Sequence, residues 1–123
     1  MRRILVHESL SGGDPVAGEA DCAELLPQGR AMRNALLADL LHLADVQIST
    51  SVCERPGAHA LPHAAPGRLT TVARQAGESA SAFVARQSRL HDQTWVIAPE
   101  TGGLLRQLQA AVGARGWIGC TAE

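Results

Sequence analysis

A short apolar run near the start of the chain, Ile4-Leu5-Val6, most constrains the fold. Consecutive β-forming apolar residues are typical of a strand that is buried on both faces, as the central strand of a parallel sheet is. A polar, glycine-rich stretch follows over residues 8–18, and a long amphipathic pattern comes after it. Strand, loop and helix in this order predict the opening of a doubly wound α/β domain, whose ligands bind beyond the carboxyl ends of the strands.

The rest of the chain continues the alternation of strand and helix patterns. We predict further strands at 46–52, 69–73, 93–98 and 117–120, and helices at 27–44, 79–90 and 102–112. In these helices the residues expected to face the core are Met32, Leu36, Leu37, Leu40, Leu41, Leu43, Ala44, Phe83, Val84, Leu90, Leu104, Leu105, Leu108 and Val112. The pattern predicts a Rossmann-like, open, mostly parallel five-stranded sheet with helices on both faces.

Composition limits the classes of function. The 123 residues fit one domain, and the net charge of −1 argues against a nucleic-acid partner. All 11 basic residues are arginines, which excludes a Walker-type or Schiff-base lysine in this chain. No apolar run approaches the roughly 20 residues of a membrane span, so no membrane partner is expected. Cys22, Cys53 and Cys120 form no CxxC pair, which favours reduced thiols in a cytoplasmic protein.

Two loops are the candidate sites, and they would converge if the first and fourth strands are neighbours, as in the common strand order 3-2-1-4-5. Residues 8–18 begin with Glu8, and residues 99–103 contain Glu100; each loop also has a Gly-Gly pair. Backbone amides in such loops favour an anion or a polar small molecule, whereas the two carboxylates could bind an amine. Alternatively, the loop's own amides satisfy Glu8, and Glu100 complements the dipole of the next helix.

Other chemical motifs are weaker. The full GxGxxG fingerprint is missing, which argues against a dinucleotide site, and no G-x-S-x-G elbow is present. His7, at the end of the first strand, is expected to pack or hydrogen-bond rather than to assist a nucleophile. His59 and His63 lie in a proline-rich segment, so we expect a solvated loop rather than a helical metal site, and we predict no bound metal.

Four stretches resemble, in order, a group of ATP-grasp proteins that includes tyramine–glutamate ligase-like proteins of methanofuran biosynthesis. They are I-L-V-H-E-S-L-S-G-G at 4–13, Q-G-R-A-M at 28–32, V-I-A-P-E-T-G-G-L-L at 96–105 and G-C-T-A-E at 119–123. The resemblance implies an N-terminal pre-ATP-grasp domain spanning 1–123, with the ATP-grasp catalytic core downstream and absent from this chain.

The resemblance also implies a function in one-carbon cofactor biosynthesis. Such ligases activate a carboxylate as an acyl phosphate, which an amine then attacks. ATP and Mg²⁺ would bind mainly to the downstream domain, so we expect no cofactor and no catalytic residue in this piece. The expected substrate-binding residues, which would position substrate and cradle an anion, are Glu8, Ser11, Gly12, Gly13, Glu100, Thr101 and Gly102.

A second hypothesis is a stand-alone Rossmann-like module without catalysis, which binds a small molecule or associates with itself as a homodimer. An exposed apolar face would favour that self-association.

Overall fold

Parallel strands form one five-stranded sheet in the computed structural model, which describes residues 1–16, 18–99, 101–114 and 116–118. The strands are β1 (Arg2–Glu8), β2 (Val46–Ser51), β3 (Leu69–Val72), β4 (Gln93–Ile97) and β5 (Trp117–Ile118). The helices are α1 (Glu19–Leu40), α2 (Ala80–Ser88) and α3 (Leu104–Val112). The sheet order is β3-β2-β1-β4-β5, and every neighbouring pair is parallel. The predicted α/β fold class is confirmed, and β1 and β4 are neighbours, which is the condition for the two candidate loops to converge.

The central strand β1 packs against helices on both of its faces. Ile4 and Val6 form one core cluster with Leu37 of α1, together with residues of β2. The side chains between them point to the other face, as the period-two alternation of a strand requires. On that face the ring of His7 lies 5.8 Å from that of Phe83, which belongs to the core cluster of α2, α3 and β4. Helices therefore cover both faces of the sheet, as predicted.

Helix α1 differs from the prediction in its start and in its buried face. It begins at Glu19 rather than Pro27, because acidic residues in its first turn favour the helix N-terminus. Pro27 lies inside the helix and is exposed. Met32 is 57% exposed and Leu43 is 49% exposed, so the prediction that they are buried was wrong. The buried residues of α1 are Cys22, Leu26, Gly29, Arg33, Leu37 and Leu40.

A buried arginine accounts for the difference between the predicted and the observed buried face of α1. Arg33 is 0% exposed and donates from Nη1 to the carbonyl oxygen of Ala58 at 2.7 Å and from Nη2 to that of Ala60 at 2.9 Å. Burial lowers the pKa of its guanidinium, while the negative charge of Glu8 acts in the opposite direction. The proline-rich segment after β2 is thus fixed to α1 through backbone carbonyls, an arrangement that hydrophobic periodicity does not signal.

The other two helices largely follow the predicted pattern. Phe83 and Val84 are buried, but Leu90 is 52% exposed, because α2 ends at Ser88 and Leu90 lies in the following turn. In α3 the three leucines are buried and Val112 packs against the same cluster. None of the helices in the described ranges is long and apolar enough to cross a membrane.

Candidate functional site

The loops that follow β1 and β4 meet at the carboxyl edge of the sheet, as predicted. The amide of Ser9 donates to the carbonyl oxygen of Ile97, the last residue of β4, at 2.9 Å, and residues of both loops line one cavity. Thr101 opens a short 3-10 turn, and Gly102 is exposed with a φ of 63°. Glu100 lies outside the described residues.

The last two residues of β1, His7 and Glu8, have polar side chains that lie on opposite faces of the sheet. His7 points toward α2, whereas Glu8 lies against Gly29 of α1. Each side chain belongs to its own hydrogen-bond network. The carboxyl edge therefore has two distinct sites, one on each side of the loop that follows β1.

The carboxylate of Glu8 accepts hydrogen bonds from its own loop. Oε2 accepts from the amide of Leu10 at 2.8 Å. Oε1 accepts from the amide of Ser11 at 2.9 Å and from its hydroxyl at 2.8 Å. The structure thus brings the predicted pair Glu8 and Ser11 together, in the arrangement in which loop amides satisfy the carboxylate. Charge-assisted bonds of this kind are shorter and stronger than neutral ones.

Gly29 allows α1 to pass directly over this carboxylate. A Cβ at position 29 would lie 2.6 Å from Oε1 of Glu8, which is closer than any real contact allows. Beside this crossing is a cavity of about 290 Å³, here called the apolar pocket, between the loops after β1 and β4 and the exposed side of α1. Glu8 and Gly29 line it together with Leu10, Val16, Leu25, Met32, Ile97 and Pro99.

On the other side of the loop, four side chains form a continuous chain of polar contacts. Ser51 Oγ lies 2.7 Å from His7 Nδ1, and His7 Nε2 lies 2.7 Å from Asp14 Oδ2. The other carboxylate oxygen of Asp14 pairs with Nη2 of Arg74. An ionised carboxylate only accepts, so this geometry assigns a proton to His7 Nε2. The hydrogen-bonding role predicted for His7 is confirmed.

The electrostatic state of Asp14 follows from these partners. Burial of the carboxyl group by itself would raise its pKa, since desolvation disfavours the charged form. The charge and hydrogen bond of His7 and the charge of Arg74 act in the opposite direction. Together with a hydrogen-bond contribution from Ser9, which is larger than that of the Arg74 charge, they hold the pKa of Asp14 below its ordinary value of 3.8.

The glycine pair closes the loop over this chain of contacts. The amide of Gly12 donates to the carbonyl oxygen of Glu8 at 2.8 Å, and that of Gly13 donates to Leu10 at 3.4 Å. A Cβ on Gly12 would lie 2.7 Å from Cε1 of His7, and Gly13 has a φ of 88°. The two glycines therefore provide a tight turn and a close approach, and their amides are used inside the loop.

A third arginine fixes the same loop from outside. Arg55 Nη1 donates to the carbonyl oxygen of Leu10 at 2.7 Å, and Nη2 donates to that of Asp14 at 3.0 Å. Its Nε donates to Oε1 of Glu19, at the start of α1, at 2.7 Å. Sequence patterns gave no signal for this role, because the contacts join residues far apart in the chain.

A second cavity, here called the polar pocket, opens beyond the carboxyl ends of β1, β2 and β3. It has a volume of about 200 Å³ and is lined by Gly12, Gly13, Val52, Cys53, Glu54, His59, Ala73 and Arg74. Burial raises the pKa of the Cys53 thiol. His59 and His63 are exposed in the loop, as predicted. Within the described residues no group of three or more His, Cys, Asp or Glu could hold a metal ion. Cys120 lies outside them.

The sheet topology defines a Rossmann-like α/β domain, and its two candidate binding cavities lie at the carboxyl ends of its strands. The pre ATP-grasp 3 domain family matches residues 50–123, which is more than half of the chain. The chain belongs to this family of N-terminal domains of the ATP-grasp superfamily, and membership implies a downstream ATP-grasp domain in the intact protein. The match begins near the end of β2, so β1 and its loop precede it. Neither a curated protein nor a solved structure matches the chain.

Gly29→Ala is expected to destabilise the fold although alanine is the better helix former. The propensity gain is about 1 kcal/mol. The new Cβ displaces the Glu8 carboxylate from its loop amides, and we expect a net loss of about 2 kcal/mol in the free energy of unfolding. Urea denaturation measures the change. Gly18→Ala is the control, because a Cβ there meets nothing within 4 Å.

A double-mutant cycle with Glu8→Ala isolates the cause. Removing the carboxylate removes the clash, so the double variant should lose less stability than the sum of the single losses. Strict additivity would contradict the proposed contact.

Asp14→Asn is expected to lower stability in a pH-dependent way. Because the folded pKa of Asp14 is lowered, its ionised form stabilises the fold above the unfolded value, and this contribution disappears as pH falls through the folded pKa. The variant should lose about 3 kcal/mol near neutral pH, and the difference from the parent chain should shrink as the pH falls below the unfolded pKa and through the lowered folded pKa. Urea denaturation across this pH range tests this, with the exposed Asp39→Asn as control. A loss independent of pH would refute it.

Proposed function

We propose that this chain forms the N-terminal wall of the substrate cleft in an ATP-dependent carboxylate–amine ligase. The observation that carries the proposal is the apolar pocket between the loops after β1 and β4. In sheets with this strand order, the chain reverses its direction of winding between these two strands, and ligands bind at that point. Membership in the pre ATP-grasp 3 family supports the same class of enzyme.

The apolar pocket suits an acceptor with an apolar body and an amine. Apolar side chains line most of it, while Glu8 supplies a carboxylate at the wall. An ionised carboxylate has about four lone-pair positions. The bonds from Leu10 and Ser11 occupy three of them in Glu8, and the fourth has no partner among the described residues, so we propose that it accepts an ammonium group. Glu8 and Ser11 would then position the amine without a covalent step.

The second loop completes the proposed cleft. Pro99 lines the apolar pocket, and Glu100, Thr101 and Gly102 follow it directly in the sequence. We therefore keep these three residues, with Gly12 and Gly13 on the facing loop, as the proposed substrate-positioning set.

The residues of this chain do not fit a nucleoside triphosphate. The chain has no lysine, and the Gly12 and Gly13 amides donate within their own loop. We propose that ATP and Mg²⁺ bind to the downstream ATP-grasp domain, whose chemistry is the activation of a carboxylate. From the resemblance to tyramine–glutamate ligase-like proteins we further propose a role in the cytoplasmic biosynthesis of methanofuran or a related one-carbon cofactor. An amine with an aromatic body would then fill the apolar pocket.

Met32→Arg in the intact protein tests the apolar pocket. The larger charged side chain would occupy the cavity, so the KM for the amine acceptor should rise about tenfold or more, equivalent to about 1.4 kcal/mol of binding. The KM for ATP should stay unchanged. Leu43→Arg is the matched control, because Leu43 is about as exposed as Met32 but lies beside the amino end of β2. Equal effects of the two substitutions would refute the proposal.

Calorimetric titration with ATP–Mg²⁺ separates the ligase wall from a stand-alone binding module. We expect saturable binding by the intact protein and none by the 123-residue chain. Tight binding by the chain alone would favour the second hypothesis and would make its own loops a nucleotide site.

A further inference from the structure

We propose that the polar pocket binds a small oxyanionic group, a carboxylate or a phosphate, with Arg74 as the binding residue. The pocket lies on the opposite side of the β1 loop from the apolar pocket, and its lining does not include Glu8. The proposal goes beyond the ligase function and does not depend on it, because it concerns binding by residues of this chain.

Arg74 carries a hydrogen-bond donor that the described protein does not use. Its Nη2 pairs with Asp14, but its Nε is buried and has no hydrogen-bond partner among the described residues. A buried donor without an acceptor is costly, and more so on a charged group. The planar guanidinium matches the two oxygens of a carboxylate or phosphate. The side chain as a whole is 22% exposed and lines the cavity, so a ligand can reach its exposed part, whereas the Nε atom itself is buried.

The chain of polar contacts behind Arg74 holds it in place. Ser51 contacts His7, His7 donates to Asp14, and Asp14 accepts from Arg74. The single negative charge of Asp14 therefore interacts with both His7 and Arg74, and not with the guanidinium of Arg74 alone. A donor that is already oriented loses little conformational freedom when a ligand binds.

The other groups facing the pocket determine what it accepts. Burial keeps Cys53 in its neutral thiol form by raising its pKa, so it does not repel an anion. Glu54 and His59 are exposed, and solvent and salt screen an exposed charge. Since one water molecule occupies about 30 Å³ of liquid, a cavity of about 200 Å³ has room for a ligand larger than a single water.

Backbone amides of the glycine loop are not the binding groups in this arrangement. Gly12 and Gly13 donate to carbonyl oxygens of the same loop. They form a wall of the pocket, while the positive charge comes from beyond β3. In this proposal Arg74, and not the amides of Gly12 and Gly13, binds the anion.

Backbone-amide NMR titration of this chain, with inorganic phosphate or with succinate at constant ionic strength, tests the proposal. We expect saturable shifts at the amides of Gly12, Gly13 and Cys53 with at least one probe. Arg74→Gln should weaken this binding about tenfold or more. Arg89→Gln removes the same charge from an exposed arginine beyond the end of α2, next to the turn that leads into β4, and should leave it unchanged.

Each outcome has a defined meaning. Saturation by phosphate alone identifies a phosphoryl ligand, and saturation by succinate alone identifies a carboxylate. No saturable shift with either probe, or equal binding by Arg74→Gln, overturns the proposal. Because Arg74→Gln also removes a partner of Asp14, a second variant is needed: Ala73→Leu adds bulk at an exposed wall position and keeps the ion pair. It should also weaken binding, and unchanged affinity in a folded Ala73→Leu variant would contradict the assigned pocket.

Discussion

The burial of the carboxyl end of β1 is the constraint on which the edge of this domain depends. Helices cover both faces there, so neither His7 nor Glu8 can reach bulk water, and alternation along the strand places them on opposite faces. Buried polar groups must find partners inside the protein. Each of the two residues therefore organises a network of its own, and the loop between these networks takes its shape from both.

The same requirement accounts for the unusual residues nearby. The negative charge of Glu8 is met by loop donors, and that of Asp14 by His7 and Arg74. Arg33 forms no ion pair among the described residues and instead donates to two carbonyl oxygens. The contacts of Asp14 and Arg33 join loops to other elements, and removing one partner would leave a buried charge without its partner. Polar contacts between residues far apart in the chain stabilise the carboxyl edge of the sheet. The two apolar clusters stabilise the packing of the helices on its faces.

Sequence patterns predicted much of the fold because strand alternation and glycine-rich loops are local signals. They predicted a mostly parallel five-stranded sheet, which is confirmed, and the convergence of the loops after β1 and β4 for the strand order that the structure has. The buried face of α1 was predicted wrongly, since hydrophobic spacing cannot anticipate Arg33 in a core position. The polar contacts that link Ser51 through His7 to Asp14 and Arg74 were not predicted, for a related reason. It depends on the ends of three strands being brought together, and no short motif encodes that.

The two pockets lie on opposite sides of the loop after β1, and each offers a group of opposite charge to a ligand. On the α1 side, a carboxylate with a remaining acceptor position borders an apolar cavity, which suits the amine that we propose there. On the other side, a guanidinium with an unused donor borders a polar cavity, which suits the oxyanion that we propose there. The loop between the two pockets separates Glu8 from Arg74, and Arg55 bonds it from outside through the carbonyl oxygens of Leu10 and Asp14. The two proposed ligands would therefore bind on opposite sides of one loop.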